Sequence, residues 1–158
     1  MKIVDPPTLS AVVPVGNFIA GVTRIHEWIE EIQGRPIEVI IVHDLQNSNR
    51  ESVADYLSRL QKLDIESKIK FREGYFGNPG GARNMGIKSS TGEWIAFWDS
   101  DDIPRISEFV DAIENSEPET EVICGAFTRR DSMGVAANRT FRAKVKVYKA
   151  NLAKIQIK

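Results

Sequence analysis

Glu93-Trp94-Ile95-Ala96-Phe97-Trp98-Asp99-Ser100-Asp101-Asp102 is the stretch from which the rest of the chain can be read. Residues 94–98 are apolar throughout, the pattern of a strand covered on both faces. Three carboxylates follow within four residues. Acids this crowded repel one another unless a positive charge sits between them. A hard divalent cation such as Mg2+, Mn2+ or Ca2+ answers that need. Alternation continued off the strand end sends Asp99 and Asp101 to one side, so both are expected to ligate metal. Asp102 has a rival role as cap of a helix that Pro104 is expected to start.

A strand buried on both faces needs neighbours, and the chain supplies them on either side. Leu9–Val15 is an apolar run stopped by Gly16 and Asn17. Val22, Ile25, Trp28, Ile29 and Ile32 then recur at helical spacing, closed by Gly34 and Pro36. Residues 39–42 are β-branched throughout and predict a second strand. Ser48 and Glu51 form a capping box ahead of a helical face made by Val53, Tyr56, Leu57, Leu60 and Leu63. Residues 67–72 predict a third strand, and Pro79 opens a helix to about Ser90. Residues 93–98 are the fourth strand, and the helix from Pro104 carries Ile106, Phe109, Val110 and Ile113. Residues 121–127 and 139–148 predict two more strands. This alternation implies an α/β fold, a mostly parallel Rossmann-like sheet with helices on both faces. The expected organisation is one domain over residues 1–158.

At 158 residues with 42% hydrophobic and 27% charged composition, such a domain holds its own core. Cys124 is the only cysteine, which excludes a disulfide scaffold and fits a reducing compartment. No apolar run reaches membrane-spanning length, and Asp5, Pro6 and Pro7 interrupt the place of a signal peptide. The expected location is cytoplasmic. The net charge of −1 hides an asymmetry: residues 1–121 hold 12 Lys and Arg against 21 acids, whereas residues 122–158 hold 9 against Asp131 alone. A basic tail on an acidic body suits an anionic partner such as phosphate or an anionic membrane surface, with nucleic acid not expected. The plainer alternative is a strand edge guarded by lysines.

In open parallel sheets, ligands sit beyond the carboxyl ends of the strands. That rule directs attention to the loops after Val15, Val42, Arg72 and Trp98. The third contains Gly77-Asn78-Pro79-Gly80-Gly81-Ala82-Arg83-Asn84-Met85-Gly86. Glycines permit close backbone approach, a helix start offers N–H groups to an anion, and Arg83 adds a forked donor suited to phosphate. It is not a Walker A loop, because Ile87 stands between Gly86 and Lys88, where Lys and then Ser or Thr must follow the glycine directly. At the second strand's end, Asp44 could accept hydrogen bonds from a base or ribose; His43 reads as a satisfied strand-end histidine. An EF-hand fails because Pro104 stands where glycine is required. Zinc is not expected, since His26, His43 and Cys124 are unsuitably spaced. Trp94 and Trp98 are expected in the core or against helices.

Taken together, these segments resemble family 2 glycosyltransferases. Residues 9–17 look like that family's opening strand and residues 38–44 like its second. Gly80-Gly81-Ala82-Arg83-Asn84-Met85-Gly86 is similar to its central ARN segment, and residues 91–102 to its fourth strand and D-x-D motif. The resemblance covers about residues 8–127, in order. It implies a GT-A fold and a nucleotide-diphosphate-sugar donor, with Mn2+ or Mg2+ as cofactor. It also implies donor-binding roles for Val15, Asn17, Asp44, Gly81, Arg83 and Asp99, and metal ligation by Asp99 and Asp101. The implied reaction is a single displacement at the anomeric carbon with inversion, onto a saccharide, lipid or protein acceptor. His43 stands where the family usually has an acid, and Gly16 where an aromatic is common. Residues 8–127 are thus expected to be a donor-binding core and 128–158 a basic C-terminal segment, with much of the acceptor-side half missing. The competing expectations are a nucleotide-sugar-binding module without turnover and a haloacid-dehalogenase-like phosphatase.

Overall fold

The structure is a computed structural model and describes residues 7–16, 30–47, 68–100, 102–130 and 136–149. Six strands form one sheet: β1 (Leu9–Val15), β2 (Ile37–Asp44), β3 (Ile69–Gly74), β4 (Trp94–Phe97), β5 (Val122–Arg130) and β6 (Ala136–Lys149), in spatial order β3-β2-β1-β4-β6-β5. The first four are mutually parallel, with Val12 paired to both Ile40 and Phe97. Two α-helices are described, α1 (Pro79–Ser89) and α2 (Ile106–Glu114).

Strand alternation sorts the apolar residues into two layers. Ala11, Val13, Val39, Ile41, Trp94, Ala96 and Trp98 share one face with Ile106, Val110 and Ile113 of α2. Val12, Ile40, Val42 and Ile95 share the other with Ala82 of α1. Helices therefore cover both faces, as the alternating pattern predicts, and every residue of β2 is buried. Trp94 and Trp98 lie in the α2 layer.

Helix α1 carries little apolar surface, so close approach seats it. A Cβ added at Gly86 would overlap the Val12 side chain. Its start is fixed by Asn78, whose side-chain oxygen accepts the Gly81 N–H at 2.8 Å, with Pro79 following as first helical residue.

Beneath the sheet, at the opposite end from the strand C-termini, Glu38 accepts four hydrogen bonds from three residues. Its Oε1 accepts from Ser10 Oγ and the Thr91 N–H, each at 2.6 Å, and its Oε2 from Thr91 Oγ1 at 3.0 Å and Lys70 Nζ at 2.6 Å. Burial alone would raise the carboxyl pKa. The hydrogen bonds from Lys70, Ser10 and Thr91 outweigh it and hold the value below the ordinary one.

Several expectations need correcting. Strand β3 begins and ends two residues later than 67–72. Helix α2 begins at Ile106, with Arg105 at the cap position and no side-chain cap, so Asp102 does not cap it. Pro104 is instead buried ahead of the helix. The Asp102 N–H closes a turn onto the Asp99 carbonyl at 3.0 Å. The last two strands are longer than expected and antiparallel to one another, and β6 returns antiparallel to fill the place beside β4. Of the helical face ending at Ile32, Glu30–Ile32 is a 3-10 turn and Ile32 is buried. The rest of that helix, and the one following Ser48, lie outside the described residues.

Candidate functional site

Parallel strands deliver their C-terminal ends to one side, so loops far apart in sequence meet there. A cleft of about 290 Å³ opens at that end. Pro14, Val15 and Gly16 wall it from β1 and Asp44 from β2. Gly77, Asn78, Pro79 and Ala82 contribute from the start of α1, and Asp99 and Ser100 from beyond β4.

Asp44 is 7% exposed. Its Oδ1 accepts the backbone N–H of Gln46 at 3.2 Å and of Phe76 at 3.1 Å. One carboxylate thereby ties the end of β2 to the loop entering α1. That loop turns tightly: Gly77 has φ +68°, the left-handed region that glycine enters without strain. Neighbouring His43 is fully buried, with Nδ1 3.7 Å from Glu73 Oε1 and its ring 6.1 Å from that of Phe71. Burial lowers its pKa below 6.5, and Glu73 opposes that without reversing it. The imidazole is neutral at pH 7.

Arg83, one turn into α1, reaches across the cleft end to Asp99. Its Nη2 lies 2.6 Å from Asp99 Oδ1. The arginine side chain is 29% exposed and the aspartate 57%. Arg83 Nε is buried and has no hydrogen-bond partner among the described residues, so the fork keeps donor capacity beyond Asp99.

Of the residues singled out from sequence, Val15, Asp44 and Asp99 line this cleft, and Arg83 reaches it through Asp99. Gly81 sits one residue before Ala82, its N–H engaged by Asn78. Asn17 and Asp101 lie outside the described residues. Asn78 and Ser100 line the cleft without having been singled out for it. For Asn78 the signal was available, because Asn directly before Pro at a helix start reads as a cap.

Among the described residues no group of three or more His, Cys, Asp or Glu side chains could hold a metal ion. A Mg2+-like ion in a phosphate site needs only one or two carboxylates, the substrate oxygens and waters completing its shell. Asp99, half-exposed at the cleft, fits that demand.

The sequence and the fold match known proteins. Residues 10–156 match the glycosyl transferase family 2, and the chain belongs to that family. Over 96 residues it is 29% identical to a GalNAc(5)-diNAcBac-PP-undecaprenol beta-1,3-glucosyltransferase of Campylobacter jejuni, covering 61% of this chain and 30% of that protein. Its fold resembles S. aureus TarS 1-349 in complex with UDP, with a TM-score of 0.67 and 21% identity over 93% of this chain and 48% of that one. It also resembles the mannosyltransferase PcManGT from Pyrobaculum calidifontis in complex with GDP-Man and Mn2+, with a TM-score of 0.63 and 18% identity over 78% and 36%. The fold is thus of GT-A type. The matched region spans less than half the length of each of these proteins.

Proposed function

We propose that this chain is the donor-binding part of a metal-dependent, inverting glycosyltransferase. It takes a nucleotide-diphosphate-sugar and passes the sugar to a saccharide, lipid or protein acceptor. The observation that carries this reading is the Arg83–Asp99 pair, 2.6 Å apart at the mouth of a cleft that Asp44 also lines. A forked cation beside a half-exposed carboxylate suits a ligand bearing both phosphate and a bound cation.

In this reading Val15, Asn17 and Asp44 hold the nucleoside, and residues 8–127 make up the donor-binding core. Gly81 and Arg83 border the diphosphate. Asp99 meets the ribose and, with Asp101, would hold Mn2+ or Mg2+. When bound, such an ion supplies positive charge against the diphosphate oxygens. An acceptor hydroxyl attacks the anomeric carbon as the bond to the diphosphate oxygen breaks, its proton passing to a base on the acceptor side. The electron pair leaves with the diphosphate, and the configuration inverts. Arg83 turns its donors toward that growing charge. Among the described residues no helix is long and apolar enough to cross a membrane. We place the protein in the cytoplasm, at the inner face of the membrane, with its basic segment 128–158 toward anionic lipid.

A melting panel of UDP, GDP and other nucleoside diphosphates with and without Mn2+ tests this. The matching nucleotide raises stability by about 2.7 kcal/mol at a hundredfold excess over its Kd. Asp99→Asn abolishes the Mn2+-dependent part of that shift. A panel in which no nucleotide moves the melting point overturns the reading. A shift without sugar release from the matching donor leaves a binding module in its place.

A further inference from the structure

Glu38 and Asp99 are each held by a cation at 2.6 Å, but the two pairs are built differently. The Glu38 side chain is 7% exposed, and Ser10 and Thr91 donate to it as well as Lys70. Asp99 is half-exposed, and among the described residues Arg83 is the one side-chain partner of its carboxylate. Asp99 is likewise the one acceptor that Arg83 meets among them, its Nε being buried without any. An accessible pair with no third member adds little to folding stability, so it opens at little cost. The backbone on both sides is fixed. Asn78 pins the start of α1 and Gly86 seats it on Val12, while the Asp99 carbonyl accepts the Asp102 N–H in a turn directly after β4. Any rearrangement therefore belongs to the side chains, and to Arg83 before Asp99, because its stem is longer and has more rotamers.

Each partner also has a chemical rival. Arg83 Nη2 stands 2.6 Å from Asp99 Oδ1. A Mg2+-like ion takes a carboxylate oxygen at about 2.0–2.1 Å, which sets two like charges side by side. Either the guanidinium withdraws or the ion binds weakly. On the other side, a diphosphate offers Arg83 more negative charge than one carboxylate does. Helix α1 begins in the cleft wall with Asn78 and Pro79, and its first turn carries no acid. A phosphate at that start has the helix dipole in its favour and Arg83 one turn away.

We propose that Arg83 guards Asp99: it competes with the divalent cation for the carboxylate, and the diphosphate of an incoming nucleotide ends the competition by drawing the guanidinium away. Cation and nucleotide then do not bind independently. The cation is held weakly alone and well beside a diphosphate, and by linkage the nucleotide gains from the cation by the same factor. Asp99 is offered to a cation only when a phosphate is there to share it. The metal role of Asp99 rests on the transferase reading above; the competition is what this pair adds to it.

The first readout is Mn2+ binding to the full chain without nucleotide, followed by the electron paramagnetic resonance signal of free Mn2+. Arg83→Gln is expected to bind Mn2+ about tenfold more tightly than the unaltered chain, or better. Adding Asp99→Asn removes that gain. Arg105→Gln, which deletes a cation paired with Glu108 instead, gives none. The second readout is the nitrogen resonance of Arg83 Nε, identified by its loss in Arg83→Gln or Arg83→Lys. UDP or GDP in the presence of EDTA moves it, and Mg2+ alone does not. Equal Mn2+ affinity with and without Arg83, a gain that survives Asp99→Asn, or a resonance moved as far by Mg2+ alone as by nucleotide overturns the proposal and leaves the transferase reading standing. Failure of every nucleoside diphosphate to shift the melting point overturns both.

Discussion

His43 and Asp44 are neighbours on β2, and strand alternation gives them opposite faces and different tasks. Asp44 holds the loop ahead of α1 through the Phe76 N–H. His43 is sealed in the sheet beside Glu73. Its burial has a pH consequence whose sign is fixed. The unfolded imidazole takes up a proton near 6.5, whereas the folded one resists until lower pH. Below 6.5 the unfolded state therefore binds more protons, and stability falls as pH drops from there toward the folded value. Urea unfolding between pH 7.5 and 5.5 should show this loss, with a slope of at most about 1.4 kcal/mol per pH unit for one proton. His43→Leu should flatten the profile in that window. At this scale the sequence was legible in residue types and silent on partners. Arg83 and Asp99 each stand out as polar residues in suspect loops, but nothing in a 16-residue separation says that they touch. The Phe76 amide, 32 residues from Asp44, gives no side-chain signal at all.

Helix α1 shows how an element can be placed by what it lacks. It is pinned at its start by Asn78 and pressed onto β1 at Gly86. Gly86→Ala should destabilise the fold by about 1–3 kcal/mol, since the added methyl meets Val12 in a filled layer. Val12→Ala should restore part of that loss in the double variant, and denaturant midpoints would measure both. Failure of rescue would mean that the helix is held off the strand elsewhere. Strands β1, β2 and β4 were readable because a β-branched or apolar run bounded by turn residues has few other uses. Helix α2 was readable by its apolar face, but not in its start. Pro104 lies buried in the loop ahead of the helix, which begins two residues later at Ile106. The pairing of β6 could not be read, since which sheet edge a hairpin takes depends on contacts some 50 residues apart in sequence and leaves no local period.

Over the whole molecule, the two ends of the parallel strands divide the labour. The upper end holds the cleft. The lower end is bound by Glu38, which joins β1, β2, β3 and the turn before β4 through Ser10, Lys70 and Thr91. Glu38→Ala leaves the buried Ser10 hydroxyl and the partly exposed Lys70 and Thr91 without their common acceptor and should cost about 1–3 kcal/mol. Because this knot is remote from the cleft, the folded fraction of that variant should keep its nucleotide Kd, as titration calorimetry below the melting point would show. A Kd raised in step with the lost stability would mean that the ends are coupled. The insertion of β6 between β4 and β5 has a further effect, during synthesis. A nascent chain that has already assembled β1 to β4 presents β4 as a bare edge, open to pairing with other chains. Only when residues 147–149 leave the ribosome can that edge be covered, so the sheet completes itself late and from its far end.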